Sequence, residues 1–402
     1  MIYNLLFENS PIPVFFISAK EVTAVIGILK LAYKLLVSDR AKFSALIVGI
    51  AFAVFLMVQV TSLFSGILAR SAATVTNIGA KIWVMDPAVN TPANTIPLPD
   101  YVLDYVRSIN GVKYAVPLYS GVALLKLRSG MYQAATVIGL DDASLYGRPE
   151  LLAGQIEDIY AENAFIVVKD AEFKKLENPE VGSEFEINDH RGVVVGIAKV
   201  PVSALFGIPT LYTTYKRAIE YIPSMRYTVS YIMVEPKNNE VIPYIEKQVE
   251  QLGYRALTKE EFIQKISNFY IFQTGLGTNL FIMTIISFIV GLSISGQTFY
   301  TFILENLEKF GALKAIGAKG HELIYMILFQ ATFTGLMGYG LGVGLCTLLI
   351  TFAKLRLPDY AATIRYGNLG FALIMVLIII AASSYIGIRK VIRIEPFDIF
   401  RG

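Results

Sequence analysis

Two short runs in the sequence contain residue types that could carry out chemistry. Asp189-His190-Arg191 could form a catalytic or metal-ligating group, because histidine exchanges protons near neutral pH and binds metal ions. This triplet lies between two strand-like runs and directly precedes Gly192, which is typical of a polar hairpin turn. The pair Asp141-Asp142 could bind a cation, but a solvated loop is the simpler interpretation. We interpret both runs as surface loops.

Other reactive groups are too sparse to build a site. One cysteine, Cys346, and two histidines far apart in sequence, His190 and His321, argue against a disulfide framework or a metal centre. The motifs HExxH, GxSxG and GxxxxGKS/T are absent, and no GxGxxG opens a helix after a strand. Trp83 could mark a ligand surface, although a core position in a strand is the simpler interpretation. We therefore predict no catalytic residue, no metal site and no cofactor held by this chain.

The composition is that of a membrane protein. The 402 residues are 54% hydrophobic and only 17% charged, and the mean hydropathy is +0.55. A soluble domain usually has about 25% charged residues. The net charge of +3 is too small for a nucleic-acid-binding protein, which normally has a strongly basic surface. The next question is therefore where the apolar residues lie.

Four uncharged stretches are long enough to cross a bilayer, since a spanning helix needs roughly 20 apolar residues. They are residues 44–69, 266–304 (a stalk followed by the second span), 323–353 and 366–388. Most charged residues lie between the first two stretches, at 70–265. The predicted fold is an α-helical membrane protein with four transmembrane helices and a large α+β extracytoplasmic domain inserted between helices 1 and 2.

The distribution of basic residues predicts the orientation. Lys and Arg are concentrated before the first span, in residues 1–43, and in the tail at 389–402, and such segments usually stay in the cytoplasm. The loop at 354–365, predicted to lie outside, also contains basic residues and is the counter-evidence. Residues 1–43 lack the features of a cleavable signal peptide, and 20–36 form an amphipathic pattern typical of a helix on the inner membrane face. We expect both termini in the cytoplasm.

The inserted domain alternates strand and helix patterns at its two ends. The first strand–helix–strand set covers 81–85, 100–108 and 112–118, and the second covers 231–235, 241–252 and 254–257. Two such halves predict a split βαβ, ferredoxin-like module. The segment 120–213 between them is β-rich, with strand-like runs at 122–127, 134–139, 165–168, 185–188 and 193–197. Beyond the module, 259–304 is predicted as one helix about 69 Å long, bent near 274–277.

The loop between spans two and three, residues 305–322, contains the most specific pattern. Leu307, Phe310, Leu313 and Ile316 have helical spacing, and Gly317 ends the helix. The simplest interpretation is a surface helix that joins two spans. The run also resembles the E-x-G-x-L-R/K-A-x-G-A signature of FtsX/MacB-type (MacB–LolC–DevC) ABC transporter permeases, in the form Glu308-x-x-Gly311-x-Leu313-Lys314-Ala315-Ile316-Gly317-Ala318, with one extra residue between Glu308 and Gly311.

Three other regions resemble the same family, so the resemblance covers essentially the whole chain. They are residues 31–51 at the entry to the first span, the glycine-rich run 335–344, and Pro396–Arg401, which is similar to the closing P-x-x-x-L-R. The first span is most similar to the DevC branch. Gln330 stands where many members have Glu, and Phe400 replaces the usual Leu, so the branch is less well defined than the family.

The resemblance implies a set of partners and contacts. ATP and Mg²⁺ would be bound by a separate cytoplasmic ABC ATPase, and the 305–322 loop would be the coupling helix that docks on it. Phe310 and Leu313 would be apolar anchors, Glu308 and Lys314 polar contacts, and Gly311, Gly317 and Ala318 complete the predicted set. The chain would work in the bacterial inner membrane with a second copy of itself, a periplasmic adaptor and an outer-membrane channel.

Small residues in the third span allow close helix contact. Gly338-x-x-x-Gly342 and Gly340-x-x-x-Gly344 are small-xxx-small patterns, which pack either within the four helices or across a dimer. In such an arrangement, conformational change driven by ATP would be transmitted along the stalk to the outer domain. It would not open a pore through the membrane.

These features favour the permease subunit of an ATP-driven exporter or extractor of lipid, lipoprotein or another envelope substrate. The alternative is an FtsX-like transmembrane regulator, which relays ATPase cycles to cell-wall hydrolases without transport. A membrane-anchored enzyme is the third hypothesis, and it lacks a catalytic constellation.

Overall fold

The computed structural model describes residues 19–205, 207–222, 229–357 and 359–392. The expectations for residues 1–18 and for the Pro396–Arg401 motif lie outside these residues. The chain divides into two compact units. We call the described residues of 1–58, 284–346 and 366–402 the helical unit, and those of 59–283 and 347–365 the α+β unit.

The helices and strands alternate along the chain as follows. The helices are α1 (Ala19–Ser38), α2 (Arg40–Ser71), α3 (Ala73–Ile78), α4 (Asp100–Ser108), α5 (Tyr215–Tyr221), α6 (Ile242–Gln251), α7 (Lys259–Asn268), α8 (Gly275–Glu305), α9 (Leu307–Ala315), α10 (Gly320–Arg356) and α11 (Tyr366–Ile392). The strands are β1 (Ile82–Met85), β2 (Val112–Lys126), β3 (Tyr132–Leu140), β4 (Glu150–Gly154), β5 (Ala164–Val168), β6 (Glu184–Ile187), β7 (His190–Lys199), β8 (Thr210–Thr214), β9 (Tyr231–Pro236) and β10 (Arg255–Thr258).

Four helices in the described part of the chain are long and apolar enough to cross a membrane. They are α2, α8, α10 and α11, with 32, 31, 37 and 27 residues. A span of about 20 residues suffices for the hydrocarbon core, so each helix continues beyond it. The α+β part lies between α2 and α8 in the chain, so the predicted fold class is confirmed.

Glycines allow the helices of the helical unit to approach closely. A Cβ on Gly291 of α8 would collide with the Cβ of Ala53 on α2, and one on Gly387 of α11 would collide with Ile303 on α8. In membranes such small residues strengthen helix contacts, because lipid supplies little hydrophobic drive between helices. Gln330 of α10 is completely buried and donates from Nε2 to the carbonyl of Ala32, 2.9 Å away, which ties α1 to α10.

The ferredoxin-like module is present in the α+β unit. Its four strands are antiparallel and stand in the order β10-β1-β9-β2, with α4 between β1 and β2 and α6 between β9 and β10. β1 is buried on both faces. Ile82 and Val84 share a core with residues of α4 and α6, whereas Trp83 and Met85 share another core with Phe262 of α7. The predicted split βαβ arrangement is therefore confirmed.

One long strand connects this module to the β-rich part. We expected a break between 112–118 and 122–127, but β2 is continuous across it. The strand changes its partner there without changing direction: Leu118 pairs with Tyr231 of β9, and Tyr119 pairs with Gly139 of β3. The expected break is wrong because Ser120 and Gly121, which suggest a turn, remain in the ladder, where the Ser120 amide donates to the Ser230 hydroxyl at 2.9 Å.

The β-rich part continues the sheet in the order β2-β3-β8-β5-β7-β4, while β6 pairs with β2 and β7. β3 runs parallel to β8, and β5 runs parallel to β7. We did not predict β4 or β8 from the sequence.

The predicted single helix over 259–304 is wrong. α7 ends at Asn268, a π-helical turn covers Phe269–Gln273, and Thr274 has extended backbone (φ −108°, ψ 153°) before α8 begins. The Thr274 hydroxyl donates to the carbonyl of Tyr270 at 2.7 Å, and Gly277 lies against the backbone of Ile271 where no side chain would fit. The interruption thus lies at the predicted bend.

Trp83 is a core residue, as interpreted from the sequence. Its side chain is completely buried, and Nε1 donates to the carbonyl of Ala80 at 3.1 Å. The rings of Tyr231 and Phe262 lie 5.5 and 5.7 Å from it. This aromatic cluster fixes α7 to the sheet.

The start of α7 provides the first testable prediction. The Thr258 hydroxyl accepts from the Glu261 amide and the Glu261 carboxylate accepts from the Thr258 amide, which is a complete capping box. Thr258→Ala should lower the free energy of unfolding by about 1 kcal/mol, because one cap is lost. Thermal unfolding of the full chain in detergent measures this, and Thr258→Ser is the matched control. An alanine variant as stable as the serine variant would contradict the prediction.

Candidate functional site

The predicted coupling loop folds as α9 within the helical unit, and Asn306 forms the turn that separates it from α8. The side chain of Asn306 is buried, its Nδ2 donates to the carbonyl of Phe302 at 2.8 Å, and its Oδ1 accepts from Lys309 Nζ at 2.8 Å. The Asn306 carbonyl accepts from the Phe310 amide at 3.1 Å. One polar side chain therefore joins the end of α8 to the first turn of α9.

The end of α9 requires glycine. Gly317 has φ +112°, a conformation that side-chain-bearing residues rarely adopt. The Ala318 amide donates to the carbonyl of Leu313 at 2.9 Å, which satisfies the helix end. The Lys319 amide donates to the Glu322 carboxylate at 2.7 Å at the start of α10. The predicted end of the helix at Gly317 is thus present.

The two faces of α9 differ from the sequence expectation. Phe310 is completely buried and Gly311 is buried, so in this structure Phe310 is not an exposed anchor. Glu308 is exposed, and Leu313 and Lys314 are half-buried. The large apolar side chain on the exposed side is Ile316, at 85% exposure, which we did not include among the anchors.

Helical geometry was the signal that could have found Ile316. Successive residues turn by about 100°, so Phe310 lies on roughly the opposite face from Glu308, whereas Ile316 follows Glu308 by two steps of four residues. Residues with steps of four share a face. The exposed acidic residue could therefore have identified the outward face and placed Ile316 on it.

Ionic and hydrogen-bond contacts fasten the loop to the rest of the helical unit. Lys42 near the start of α2 forms ion pairs with Glu305 and, at 2.8 Å, with Asp39. Hydrogen bonding to Lys42 lowers the pKa of Asp39. At the other end of α9, Lys314 Nζ donates to the carbonyl of Ile392 at 3.1 Å. Its positive charge also interacts favourably with the negative C-terminal end of the α11 dipole. A displacement of the loop would therefore be transmitted to α2, α8 and α11 through these contacts.

The glycines of α10 fall on two different faces. A Cβ on Gly338 would lie 2.7 Å from Ile50 Cβ, and one on Gly342 would lie 2.5 Å from the carbonyl oxygen of Ala51, so this pair packs on α2. Added Cβ atoms on Gly340 and Gly344 would meet nothing within 4 Å. One small-xxx-small pattern therefore serves packing inside the unit, and the other is exposed.

The residues considered for chemistry occupy structural positions. Asn188 and Asp189 form the hairpin turn between β6 and β7, with φ of +46° and +66°. His190 begins β7 and stacks on Tyr221 at 4.6 Å. Asp141 accepts from the amide and the hydroxyl of Ser144, as a loop residue does. Among the described residues, no group of three or more His, Cys, Asp or Glu side chains could hold a metal ion.

Two family models match the chain. The model of the MacB-like periplasmic core domain matches residues 44–252, and that of the FtsX-like permease C-terminal region matches residues 280–396. The first therefore covers α2 and most of the α+β unit, and the second covers most of α8 and all of α9, α10 and α11.

Two curated relatives match parts of the chain. The putative hemin transport system permease protein HrtB of Staphylococcus haemolyticus is 23% identical over 156 residues, which are 39% of this chain and 42% of the relative. The uncharacterized ABC transporter permease MJ1507 of Methanocaldococcus jannaschii is 24% identical over 178 residues, which are 42% of this chain and 43% of the relative. The chain thus matches less than half the length of each.

Solved structures also resemble the chain. The extracellular domain of the ABC-type transporter YknZ from Gram-positive bacteria is 14% identical with a TM-score of 0.35, covering 44% of this chain and 99% of that domain. The periplasmic region of MacB from Actinobacillus actinomycetemcomitans is 13% identical with a TM-score of 0.36. The match covers 47% of this chain and 93% of the MacB region.

Proposed function

Because the chain belongs to the FtsX/MacB-type ABC transporter permeases, we propose that it is the permease subunit of an ATP-driven exporter or extractor. It would move lipid, lipoprotein or another envelope substrate. In this proposal a separate ABC ATPase in the cytoplasm would bind ATP and Mg²⁺, since membership of the permease family implies such a partner. A second permease copy, a periplasmic adaptor and an outer-membrane channel complete the proposed assembly.

The observation that carries this proposal is α9. Glu308 and Ile316 are exposed on this helix and at its end. Asn306 joins α9 to the end of α8, Lys314 joins it to the end of α11, and Lys42 pairs α2 with Glu305 at the end of α8. A partner that binds the exposed side of α9 would therefore displace the spanning helices as it moves. An exposed apolar side chain on a short helix is the kind of anchor that enters a hydrophobic groove of a partner.

The chain path from α9 to the outer domain supports transmission of this motion. Traced backward from α9, the chain passes through the turn at Asn306 into α8. From α8 it passes through the π-helical turn into α7. α7 is anchored in the α+β unit by Phe262 and Ile266, which are completely buried. The proposed orientation has both termini and α9 in the cytoplasm and the α+β unit outside, as the basic residues before the first span favour.

The docking face of α9 gives the second prediction. Ile316→Asp should weaken binding of the proposed partner ATPase by about tenfold or more, which corresponds to about 1.4 kcal/mol. The physical reason is that a carboxylate cannot enter an apolar groove without losing its hydration. Biolayer interferometry with the full chain in nanodiscs measures the affinity, and Glu308→Ala should weaken it less.

The control for this experiment is Tyr132→Ser in the α+β unit, where the tyrosine is also largely exposed. It should leave ATPase binding unchanged. If Ile316→Asp binds as tightly as the unmodified chain, α9 is not the docking element and the proposal fails.

Export and regulation differ in what contacts the outer domain. A photo-crosslinker at Tyr132 in intact cells, followed by mass spectrometry, should capture a coiled-coil adaptor if the chain exports. Capture of a cell-wall hydrolase in its place would support the regulatory alternative and overturn the export proposal.

A further inference from the structure

The loop between α10 and α11 lies along the outer end of α2. The Thr363 amide donates to the carbonyl of Ser62 at 2.8 Å, and Arg70 Nη1 donates to the carbonyl of Asp359 at 2.9 Å. Gly66 lies so close to the backbone of Ala361 that no side chain would fit between them. These contacts lie within the α+β unit, and they hold the loop in one place on α2.

The other side of this loop contacts the β-rich part through charged groups. The Asp359 carboxylate lies 3.6 Å from Lys175 Nζ, which in turn lies 2.5 Å from Glu172 Oε2 and donates to the carbonyl of Gly207 at 2.9 Å. Glu172 is completely buried, and it shares the Lys175 ammonium group with Asp359. Three charged side chains therefore connect the loop to the domain.

The β-rich side of this contact is rigidly mounted. Glu172 directly precedes the 3₁₀ turn Phe173–Leu176. Phe173 and Leu176 are both buried in the core that contains Phe165 of β5 and Leu211 of β8. A pull on Asp359 would therefore be transmitted to the sheet itself and not to a loose surface segment.

Two carboxylates near the same ammonium group repel each other, and burial of one of them adds a desolvation cost, so protonation of the buried carboxyl group relieves both. Burial, followed by the proximity of the Asp359 carboxyl group, raises the pKa of Glu172 to about 7, and Lys175 acts in the opposite direction. Asp170 also faces this cluster, since its Oδ1 accepts from the Glu172 amide at 2.9 Å, and burial raises its pKa while Arg70 lowers it. These four groups, Asp170, Lys175, Arg70 and Asp359, set the charge around Glu172.

We propose that Glu172, Lys175 and Asp359 form a clasp between the outer domain and the α10–α11 loop, which holds while Glu172 is protonated and loosens as the external pH rises. The clasp would be a second connection between the spanning helices and the domain, alongside the covalent one through α7 and α8. This inference rests on the proposed function for its biological meaning, since mechanical transmission needs such connections. Its physical content does not depend on any partner.

The direction of the pH effect follows from the two states of Glu172. In the clasp its pKa is about 7, whereas an exposed glutamate released from the clasp has the ordinary value of 4.5. Protonation therefore favours the clasp fully below pH 4.5, and this contribution is lost as the pH rises through 7. Between these two pH values the ratio of closed to open clasp should fall, by at most about tenfold per pH unit, and it should level off above pH 7.

Distance measurements on the full chain test the clasp. With Cys346→Ala as background, spin labels at Lys174→Cys and Leu357→Cys flank the contact at exposed positions. In nanodiscs, double electron–electron resonance should show one short distance at pH 5.5 and an additional longer distance at pH 8.5. Glu172→Gln should keep the short distance at both pH values, because the amide is neutral at both and adds no second negative charge beside Asp359.

A second variant and a control keep the result interpretable. Asp359→Asn, on the exposed side, removes the second carboxylate and should also abolish the longer distance at pH 8.5. Glu180→Gln neutralises a nearby exposed carboxylate and should leave the pH response intact. Identical distances at both pH values in the unmodified pair, or a full response in Glu172→Gln, would overturn the proposal. Because no ATPase is present, failure of α9 docking would not affect this outcome.

Discussion

Phe310→Ala is expected to lower the free energy of unfolding by about 3 kcal/mol, the lower end of the range for buried phenylalanine. Phe310 is completely buried in the helical unit, so truncation leaves a cavity beneath α9. Thermal unfolding in detergent, followed by loss of monodisperse protein, measures the effect. The variant should also bind its ATPase poorly, but only in proportion to the unfolded fraction.

Ile316→Ala is the matched control for Phe310→Ala. It removes an apolar side chain of similar size from the same loop at 85% exposure, and exposed substitutions usually change stability by less than about 0.5 kcal/mol. Equal destabilisation by the two changes would mean that α9 does not have the faces described. A weak effect of Phe310→Ala on stability together with strong loss of ATPase binding would restore Phe310 as the docking residue.

Gly342→Leu is expected to be strongly destabilising in the membrane helices. A side chain at this position would meet the carbonyl oxygen of Ala51 and Cβ of Val54, at 2.5 and 2.7 Å from the added Cβ. Neither α2 nor α10 can accommodate it without separating, which should cost about 3 kcal/mol, at the upper end for overpacking. Thermal unfolding in detergent again provides the measurement.

Gly340→Leu serves as the control, because an added Cβ there meets nothing within 4 Å. Its stability should match that of the unmodified chain. If Gly340→Leu is as unstable as Gly342→Leu, the assignment of faces on α10 is wrong. If it remains stable but prevents association of two permease copies, the exposed Gly340–Gly344 face is a dimer seam, as one of the sequence alternatives holds.

Much of the fold could be predicted because its determinants are local. Each spanning helix requires an uncharged run of sufficient length, and that run is visible in the sequence without knowledge of any partner. The strand–helix–strand sets of the ferredoxin-like module are likewise defined by short-range periods and turn residues. Two predictions were wrong in detail: the break within the segment that forms β2, and the single helix over 259–304. The change of strand partner at Tyr119 and the π-helical turn at Phe269 depend on neighbours distant in sequence.

The candidate site was only partly predictable for the same reason. The sequence located α9, its end at Gly317 and the resemblance that connects it with an ATPase. It did not distinguish the inward side chain, Phe310, from the outward one, Ile316, because both are apolar and hydrophobicity alone does not orient a helix. The contact among Glu172, Lys175 and Asp359 had no sequence signal, since charged residues in two unrelated loops show no pattern.

The sequence by itself thus determined the four candidate spans, the class of the inserted domain and the family, because each depends on composition, period or a contiguous motif. Only the tertiary structure decided which glycines of α10 pack on α2, which face of α9 is exposed, and which carboxylates meet at the α10–α11 loop. The physical reason is that these outcomes depend on burial and on distances between segments far apart in the chain. Such distances are set by packing and leave no trace in local spacing.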